Sequence, residues 1–496
     1  MNQGRPRRIA VLGAGISGLS AAYELRHRGT GRREIRPVGT CGTSDTSGGG
    51  RQPPPEVVVF EAAACVGGKI RTETHDGVLY EAGPDSFSTV KPQAMELVRE
   101  LGLGSELLHT NAQHRRLLML TGGRLRPLPE GMGQVVPARW WPFLRSDLLS
   151  WKGKLRLLGE PFIPAEAGES DESLADFFGR RMGPEAVTRL VEPILAGACL
   201  GDPARLSLRS TFPQFADMER RGGLLRQCWG GRTRRLAPSA ETAWPVTLRG
   251  GLSLLPETLA RRLPSGCLRL GAAVTRLSRR NGGWEVRTAA GPEAFDAVIA
   301  ALPAPALAPV VEAVEPELAG ILREIPYAAA AVVTLAYDRK GFAHPLDAFG
   351  LIVPRSEGRR LAAAVFTSSK FSGRTPADLV LVRGLLGGAG RDSEAIGEEA
   401  AAARTVRGEL RDILGLGEAH PRWTRVARWP AAHPQYTIGH ALRLRRLESC
   451  LQSCPGLILV GESYRGAGLP DCVRSGRLAA AKVLTPAGGR AVAGVA

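Results

Sequence analysis

The 496-residue sequence predicts an α/β fold with α+β inserts, in which one domain is assembled from separate stretches of chain. Three observations support this prediction. An apolar strand at residues 8–12 runs into a glycine-rich turn and a helix, a second strand and helix close the chain at residues 456–484, and long stretches of mixed pattern separate the two units. Strand–turn–helix units of this kind are typical of a Rossmann-like domain, and the intervening stretches then form a second domain.

Composition places the chain among ordinary globular proteins. Apolar residues make up 44% and charged residues 23% of the sequence, which excludes a disordered, collagen-like or coiled-coil chain. The 65 basic residues against 48 acidic ones give a formal net charge of +17. Such an excess favours contact with anionic lipid, nucleic acid or a carboxylate-rich ligand. The alternative is that most of these charges are hydrated surface groups without a dedicated partner.

The eight cysteines show neither a CxxC pair nor a histidine spacing typical of zinc sites, so we predict free thiols and no metal centre. The basic N-terminus leads into a strand rather than into the apolar core of a signal peptide. No stretch reaches the roughly 18 apolar residues that span a bilayer. We therefore expect a cytoplasmic protein and leave open a peripheral contact with the inner face of the cell membrane.

The first motif lies where the N-terminal strand ends. Gly13, Gly15 and Gly18 follow that strand with the spacing GxGxxG, and a helical pattern continues to about residue 28. Such glycines permit a tight turn, close approach of a pyrophosphate to backbone N–H groups, and close packing of helix on strand. The glycine spacing alone is a weak signal in a chain with 61 glycines, but its position between a strand and a helix predicts a dinucleotide site.

Glu61 ends the next predicted strand, residues 57–60, where an acidic side chain can accept hydrogen bonds from ribose hydroxyls. It lies 43 positions beyond Gly18, whereas about 20 is usual. Residues 29–56 hold 7 Gly, 4 Pro and 6 Ser or Thr, a composition typical of a flexible loop. We interpret these 28 residues as an insertion, without which the separation falls to 15. The alternative is a hydrated glutamate at a strand end.

A third motif specifies the cofactor more closely. Gly67, Gly68 and Lys69 begin six residues after Glu61, and the run YEAGP follows at residues 80–84. A glutamate followed at this distance by Gly-Gly and a basic residue resembles the flavin-binding signature of the amine-oxidase-type FAD superfamily. A Gly-Gly turn lets the backbone approach the diphosphate, and Lys69 offers positive charge; the alternative is a plain turn. The resemblance implies FAD rather than NAD.

A fourth motif, GAGLPD at residues 466–471, precedes the last predicted helix, residues 472–484. Glycine-rich backbone ahead of a helix N-terminus suits an anion or an electron-rich ring edge. In FAD enzymes with the same signature, a segment of this kind lies beside the isoalloxazine. The resemblance therefore implies that both ends of the chain meet on one cofactor.

These motifs divide the chain into two domains. We expect a discontinuous, Rossmann-like FAD-binding domain and a substrate-binding, mainly helical domain spliced into it. The FAD-binding domain is predicted from residues 1–85, 246–312 and 425–496, and the substrate-binding domain from residues 86–245 and 313–424.

The substrate domain carries a more specific resemblance. Together with the flavin signature, its segments are similar to the oxygen-dependent porphyrinogen oxidases of haem biosynthesis, bacterial type, which act on protoporphyrinogen IX or coproporphyrinogen III. The similarity covers nearly the whole chain. The segments that carry it are residues 61–69, 83–87, 172–178, 190–197, 210–213, 434–440 and 466–472.

This resemblance implies a set of FAD contacts on the matching positions. They are Gly13, Ala14, Gly15, Ile16, Ser17, Gly18, Glu61, Ala62, Gly67, Gly68, Lys69, Gly83, Pro84, Asp85, Ser86, Val274, Trp429, Ala467, Gly468 and Leu469.

The resemblance also implies the reaction, a six-electron oxidation in which FAD takes electrons from the macrocycle and passes them to O₂, giving hydrogen peroxide. Because the flavin performs the difficult step, we assign no catalytic residue. We place Lys91 at a substrate propionate, with a hydrated lysine as the alternative. His440 is assigned to the substrate site, in a lining or structural role rather than a catalytic one. Either porphyrinogen is compatible with the sequence.

Two other classes of function compete with this interpretation. The first is a different FAD enzyme of the amine-oxidase or desaturase type, which would bind FAD but form no porphyrin. The second is a non-enzymatic binder of anionic surfaces, motivated by the net charge and by the arginines at 220, 221, 226, 232, 234 and 235. The nucleotide motifs at both ends argue against the second class, so we predict no nucleic-acid partner. A ferrochelatase-type pathway partner is left open.

Overall fold

A computed structural model describes residues 6–29, 54–133, 135–166, 168, 170–229, 244–280, 282–485 and 494–495. The predicted insertion loop, residues 29–56, therefore lies mostly outside the described residues. Within the described parts the chain forms a six-stranded and a seven-stranded sheet, several short antiparallel pairs and surrounding helices. This architecture confirms the predicted α/β class with α+β inserts.

The six-stranded sheet is parallel throughout, and the chain returns to it from distant positions. Its strands, in spatial order, are Leu268–Arg269, Glu56–Phe60, Arg8–Leu12, Ala297–Ala300, Leu457–Leu459 and Gly494–Val495.

Both faces of this sheet are covered, which explains the uninterrupted apolar runs of its strands. Ile9 and Val11 point to one face, where helix Ile16–Gly29 and helix Leu469–Leu484 pack. Ala10 and Leu12 point to the other face, beneath a three-stranded antiparallel layer and further helices. Helix Leu469–Leu484 approaches Ile16–Gly29 closely at Gly476, where a Cβ would lie 2.2 Å from the Ser17 carbonyl oxygen.

The three-stranded layer consists of Arg276–Arg280, Gly283–Thr288 and Gly291–Phe295. Of the first strand of this layer, RLSRR, only Leu277 is buried. Helices Leu254–Arg262, Ala304–Val311, Pro316–Arg323 and His440–Gln452 complete this part of the molecule.

The seven-stranded sheet is antiparallel apart from one pair, Gly350–Ile352 with Leu117–Thr121. Its strands, in spatial order, are Trp423–Pro434, Tyr327–Asp338, Leu379–Gly387, Leu361–Phe366, Gly350–Ile352, Leu117–Thr121 and Arg124–Pro127. Helix Glu399–Leu414 covers one face of this sheet through Val406 and Leu410.

One strand of the seven-stranded sheet crosses the predicted domain boundary at residue 425. Trp423–Pro434 pairs with Tyr327–Asp338 from Ala336↔Trp423 to Tyr327↔Pro434, so it belongs to the second sheet rather than to the parallel one. Most side chains of this strand are partly buried or exposed, and its two arginines, two prolines and one histidine obscure the strand pattern in the sequence.

The region between residues 140 and 229 is mainly helical and has its own aromatic core, which includes Phe177, Phe178 and Phe215. This region contains helix Leu174–Met182, then helix Pro184–Ala186 followed by a π-helix, Val187–Ala196. The other helices are Trp140–Arg145, Trp151–Leu158, Leu208–Thr211, Pro213–Arg220 and Leu224–Trp229.

Short elements connect these units. The strand pairs are Thr72–His75 with Val78–Glu81, Leu107–His109 with Val246–Leu248, and Met132–Gly133 with Val136–Pro137. The remaining helices are Gln93–Glu100, Thr367–Lys370 and Asp392–Ile396, with single 3₁₀ turns at Gly104–Glu106, Ala112–His114, Glu160–Phe162 and Arg355–Glu357.

Candidate cofactor-binding site

The glycine turn after the first strand is built by its first and third glycines. Gly13 adopts φ +99°, a conformation that favours glycine, and its N–H donates to the Phe60 carbonyl at 2.7 Å. At Gly18 a Cβ would lie 2.0 Å from the Gly13 carbonyl oxygen, so any other residue would push the helix away from the strand. These two glycines set the geometry of the turn.

Gly15, the middle glycine of the motif, is less closely packed than Gly13 and Gly18. A Cβ on Gly15 would meet no protein atom within 4 Å, so the space beside it is open. The first N–H groups of helix Ile16–Gly29 have no partner within the helix, and its first turn carries no acidic residue. A helix N-terminus beside open space is a binding site for an anion. The residues therefore fit the diphosphate of a dinucleotide.

Gly67 and Gly68 close one side of this space. The Gly67 N–H donates to the Ala14 carbonyl at 2.9 Å, and Gly15 and Gly67 form an isolated parallel bridge. The predicted Gly-Gly turn therefore lies directly against the first glycine turn, as a shared cofactor site requires.

Glu61 organises the same turn. Its carboxylate accepts from the Ala14 N–H at 2.7 Å and from the Ala63 N–H at 2.9 Å. The strand before it pairs in register with the first strand, Leu12 opposite Phe60, so the inserted residues do not displace Glu61 from the glycine turn. Each carboxylate oxygen keeps a second lone pair that can accept from a ribose hydroxyl.

A third stretch of chain joins Glu61 on its other side. The Glu61 N–H donates to the Arg269 carbonyl at 2.9 Å, and the Ala272 N–H donates to the Glu61 carbonyl at 2.7 Å. Partly buried Val274 follows two residues later. The structure thus brings the predicted contact Val274 into the neighbourhood of Glu61.

Lys69 links the two ends of the chain. Its ammonium forms an ion pair with Glu462, donates to the Ala432 carbonyl at 2.8 Å and lies 5.2 Å from the centre of the Tyr327 ring. Burial raises the pKa of Glu462, and the Lys69 charge opposes that rise. In the described structure the positive charge of Lys69 is thus directed at Glu462.

The segment at residues 83–86 rests on a buried charged cluster. Asp85 pairs with Lys370 at 2.9 Å and lies 3.5 Å from Arg383, which also donates to the Gly83 carbonyl at 2.5 Å. Burial alone would raise the pKa of Asp85, but the Lys370 and Arg383 cations hold that pKa well below its usual range. With Asp85 ionised, this Asp85–Lys370–Arg383 cluster carries one net positive charge.

Sequence reasoning missed Lys370 and Arg383. Both side chains are buried, and the Arg383 Nε atom has no hydrogen-bond partner in the described structure. A signal was available for Arg383, because it is the single charged residue in the apolar strand Leu379–Gly387. A buried charge in such a strand indicates a specific partner.

Trp429 reaches the site from the seven-stranded sheet. Its indole N–H donates to the Ala82 carbonyl at 2.8 Å, directly before Gly83. Ala82 and Trp429 also line a cavity of about 500 Å³, together with Arg71, Arg425 and Arg428. Glu73 and Glu399 line the same cavity, so its three arginines and two glutamates together carry one net positive charge.

The C-terminal segment ends at the start of the last helix. Gly468 precedes helix Leu469–Leu484, and at Gly466, with φ +98°, a Cβ would collide with Asp471. Lys91 lies at the same helix start, because its ammonium contacts both carboxylate oxygens of Asp471, at 2.7 and 2.8 Å. The side chain of Lys91 is 56% exposed, whereas that of Asp471 is 7% exposed.

His440 is buried behind Tyr436. The two rings stack with their centres 4.2 Å apart, and His440 Nε2 donates to the Tyr464 carbonyl at 2.9 Å. Burial lowers the pKa of His440 to about 4. Tyr436 in turn donates to the Glu462 carbonyl and accepts from the Gly466 N–H at 3.0 Å. His440 therefore supports the segment that leads into the last helix.

Other predicted features lie elsewhere or outside the described residues. Of the basic cluster, Arg220, Arg221 and Arg226 are described, and the arginines at 232, 234 and 235 are not.

The seven described cysteines are unpaired thiols. Among the described residues, no group of three or more His, Cys, Asp or Glu could hold a metal ion. In the same part of the chain, no helix combines the length and the hydropathy of a membrane span.

Comparisons with known proteins agree with this geometry. The family model of flavin-containing amine oxidoreductases matches residues 16–484. The chain is 31% identical to coproporphyrinogen III oxidase of Bacillus subtilis, covering 98% of this chain and 99% of that protein. It is 34% identical to human protoporphyrinogen oxidase, covering 96% and 98%.

Solved structures show the same fold. A candidate protoporphyrinogen oxidase from Exiguobacterium sp. 255-15 superimposes with a TM-score of 0.81 at 27% identity, covering 96% of this chain and 98% of that one. Putrescine oxidase superimposes with a TM-score of 0.66 at 16% identity, a likeness of fold alone. The chain belongs to the family of flavin-containing amine oxidoreductases, and it is an FAD-dependent oxidoreductase.

Proposed function

We propose that this protein oxidises a porphyrinogen to the porphyrin in haem biosynthesis, using O₂ as the final acceptor and releasing hydrogen peroxide. The observation that carries the proposal is similarity over the whole length, substrate domain included, to proteins named coproporphyrinogen III oxidase and protoporphyrinogen oxidase. The putrescine oxidase likeness, at 16% identity, supports the fold but not an amine substrate.

The cofactor contacts form one continuous surface in this proposal. The turn of residues 13–18, with Gly67 and Gly68, would hold the diphosphate of FAD, and Glu61 would accept from its ribose. Ala62 and Val274 would contact that end of the cofactor, and residues 83–86, Trp429 and residues 467–469 would contact the isoalloxazine. FAD, when bound, supplies the hydride acceptor, and the protein supplies binding, orientation and charge.

The Asp85–Lys370–Arg383 cluster has an electrostatic role in the same proposal. Its net positive charge is buried, where an electrostatic interaction is stronger than in water. The segment at residues 83–86 is held directly on this cluster, through the Gly83 carbonyl and the Asp85 carboxylate. The cluster therefore holds the segment at residues 83–86, a predicted flavin contact, in place. It also favours negative charge beside that segment.

Lys91 is the proposed contact for a substrate propionate. Its side chain is more than half exposed, and a carboxylate can share the ammonium with Asp471 because a lysine carries three N–H donors. His440 acts in this account by supporting Tyr436 and the segment before the last helix. We assign no residue as a proton donor or acceptor.

The experiment that tests the proposal compares the two porphyrinogens. Purified holoprotein is mixed with coproporphyrinogen III or protoporphyrinogen IX, and porphyrin fluorescence is followed together with oxygen uptake and peroxide formation. We expect turnover of at least one of them, and the ratio of the two kcat/KM values identifies the physiological substrate. Bound FAD without porphyrin from either compound would overturn the proposal in favour of an amine-oxidase or desaturase-type reaction.

A peripheral membrane contact and a ferrochelatase-type partner are further proposals. The sequence leaves both open, and its net charge of +17 favours the first. Four exposed apolar side chains also support the first, namely Trp141, Trp151, Leu155 and Phe162.

A further inference from the structure

His433 is a partly buried histidine that neither the cofactor assignment nor the substrate assignment uses. It lies near the end of strand Trp423–Pro434, opposite Ala328. Its Nδ1 lies 2.8 Å from the Pro434 carbonyl, and because a carbonyl only accepts, Nδ1 carries the ring proton and Nε2 is the acceptor nitrogen. Nε2 has no hydrogen-bond partner among the described residues and is not enclosed by protein, so its lone pair faces open space.

The space that His433 faces lies inside the molecule. The ring keeps accessible surface, yet burial lowers its pKa to about 4. Glu462 shows the same combination, because its side chain is 20% exposed while burial raises its pKa. Cys199 is likewise only partly covered, and burial raises the pKa of its thiol to about 12. Groups that lie this deep and still keep accessible surface line an internal cavity.

One side of this cavity belongs to the cofactor site. Lys69, part of the flavin signature, donates to the Ala432 carbonyl at 2.8 Å, directly before His433, and pairs with Glu462. The same ammonium lies 5.2 Å from the centre of the Tyr327 ring, and its charge lowers the pKa of His433 further. His433 is therefore adjacent to the residues through which the two ends of the chain meet.

The other side belongs to the substrate-binding domain. The Gln435 amide donates to the His433 carbonyl at 3.2 Å and to the Cys199 carbonyl at 2.9 Å. Cys199 follows the π-helix Val187–Ala196, within the predicted substrate-binding segment 86–245. This bridge places His433 where the cofactor side and the substrate side of the cavity meet.

The other titratable groups around His433 are already engaged or hold their protons. The Glu462 carboxylate pairs with Lys69, and the Tyr327 hydroxyl shares a hydrogen bond with Ser463 at 2.7 Å. Burial raises the pKa of Tyr327 and of Cys199, so both keep their protons at neutral pH. Among these groups, the neutral His433 ring offers the free acceptor atom.

We propose that His433 Nε2 accepts the proton that leaves a pyrrole nitrogen each time a porphyrinogen gives up a hydride. The inference rests on the proposed function and adds to it a proton acceptor. In each two-electron step a C–H bond of a methylene bridge breaks, and its hydrogen leaves with the electron pair as hydride to FAD. A pyrrole N–H bond breaks as well, its proton bonds to Nε2, and the substrate gains one double bond.

The protein returns this proton when oxygen is reduced. O₂ takes up the hydride equivalent and the proton held by His433, which together make hydrogen peroxide and leave the imidazole neutral again. The negative charge that hydride brings into the cavity raises the affinity of Nε2 for a proton, so hydride transfer and proton uptake favour each other.

The first experiment follows flavin reduction in a single anaerobic turnover. Holoprotein is mixed rapidly with saturating porphyrinogen, for the wild type, His433→Ala and His420→Ala. His420 is exposed in the loop before strand Trp423–Pro434 and provides the matched control. The FAD content and melting temperature of each variant establish that it is folded. Each measurement is repeated with added imidazole, which can enter the space that the shortened side chain leaves.

We expect the His420→Ala rate to equal that of the wild type and the His433→Ala rate to be about 100-fold or more lower, as for loss of a positioned base. Imidazole should raise the His433→Ala rate roughly 10-fold or more and leave the other two unchanged. A His433→Ala rate close to that of the wild type, or a loss that imidazole does not reverse, would overturn the inference alone. A wild-type flavin that neither porphyrinogen reduces would overturn the proposed function and this inference with it.

The second experiment needs no turnover. Nitrogen NMR of ¹⁵N-histidine-labelled, oxidised wild-type holoprotein gives the His433 signals, assigned by their loss in His433→Ala. We expect a neutral ring with Nδ1 protonated at neutral pH, and a shift of the Nε2 signal when the porphyrin product binds. A protonated ring, or an Nε2 signal that bound porphyrin leaves unchanged, would contradict the assigned contact.

Discussion

The ammonium of Lys91 lies 2.7 and 2.8 Å from the two carboxylate oxygens of Asp471, a residue 380 positions further along the chain. The pair joins the segment that follows residues 83–87 to the first turn of helix Leu469–Leu484. Asp471 is almost fully buried, whereas Lys91 keeps more than half of its side chain exposed. A charged group held at a helix start on one side and open to solvent on the other is suited to receive a second carboxylate.

The first prediction concerns this lysine. We expect Lys91→Met to raise the KM for a porphyrinogen about 10-fold, which corresponds to about 1.4 kcal/mol for one charge-assisted contact, with little change in kcat. Lys91→Arg should restore most of the affinity, because the positive charge is kept. Steady-state kinetics with wild-type FAD content is the measurement. An unchanged KM would leave Lys91 as a surface partner of Asp471 only.

The second prediction distinguishes a loss of FAD binding from a loss of folding stability. Gly15→Ala places a methyl group in open space, so the apoprotein should keep its stability within about 0.5 kcal/mol while its affinity for FAD falls at least 10-fold. Gly18→Ala is the matched comparison, because its methyl group collides with the Gly13 carbonyl and should destabilise the apoprotein itself. Urea unfolding and FAD titration measure the two effects. Undiminished FAD binding by Gly15→Ala would place the diphosphate elsewhere.

The third prediction concerns Glu61. Glu61→Gln turns one of two acceptor oxygens into a donor, so the hydrogen bond from either the Ala14 or the Ala63 N–H is lost together with the negative charge. We expect FAD affinity to fall about 10-fold, in line with about 1.5 kcal/mol for a hydrogen bond to a charged group. Flavin absorbance per protein after gel filtration reports the loss. Full retention of FAD would contradict the assigned ribose contact.

The fourth prediction follows from the Asp85–Lys370–Arg383 cluster. Replacing Arg383 by Gln removes the net positive charge while keeping a donor for the Gly83 carbonyl. The midpoint potential of the bound flavin should fall by about 30 mV or more, since 30 mV corresponds to about 1.4 kcal/mol for two electrons. Arg383→Lys should keep a potential close to that of the wild type. An identical potential in Arg383→Gln would show that the cluster is structural only.

The fifth prediction is a loss of stability in mild acid. Burial lowers the pKa of His433 and of His440 to about 4, against 6.5 for an exposed histidine. Below pH 6.5 the unfolded chain takes up protons that the folded chain does not, so the free energy of unfolding falls as the pH drops. Between pH 7.5 and pH 5 each histidine should cost about 2 kcal/mol.

Urea unfolding at the two pH values measures this loss. His440→Gln, which keeps an N–H donor for the Tyr464 carbonyl, should reduce the difference between the two pH values by about 2 kcal/mol. An unchanged pH dependence in this variant would mean that His440 is protonated in the folded protein.

The sequence was most informative where local geometry dictates residue type. The turn at residues 13–18 needs glycine at Gly13 for its positive φ and at Gly18 for close packing, so the glycine spacing, placed between a strand pattern and a helix pattern, predicts the turn. Glu61 was predicted despite the insertion, because a strand that pairs in register delivers its last residue to the same edge of the sheet.

Other features depend on tertiary pairing and left little trace in the sequence. Lys370 and Arg383 meet Asp85 from positions almost 300 residues away, and only the lone charge in an apolar strand hints at such a contact. The strand Trp423–Pro434, which crosses the predicted boundary at residue 425, left no trace either, because its prolines and arginines hide the pattern of a strand. For helix Trp151–Leu158, periodicity shows two faces but not which of them turns outward.

The most direct test of the central claim is an anaerobic titration of the oxidised holoprotein with coproporphyrinogen III and, separately, with protoporphyrinogen IX. The account predicts that at least one of them bleaches the flavin and forms fluorescent porphyrin, with three flavins reduced for each porphyrin because the oxidation removes six electrons. Admission of oxygen should restore the flavin spectrum. A flavin that stays oxidised with both porphyrinogens would contradict the account.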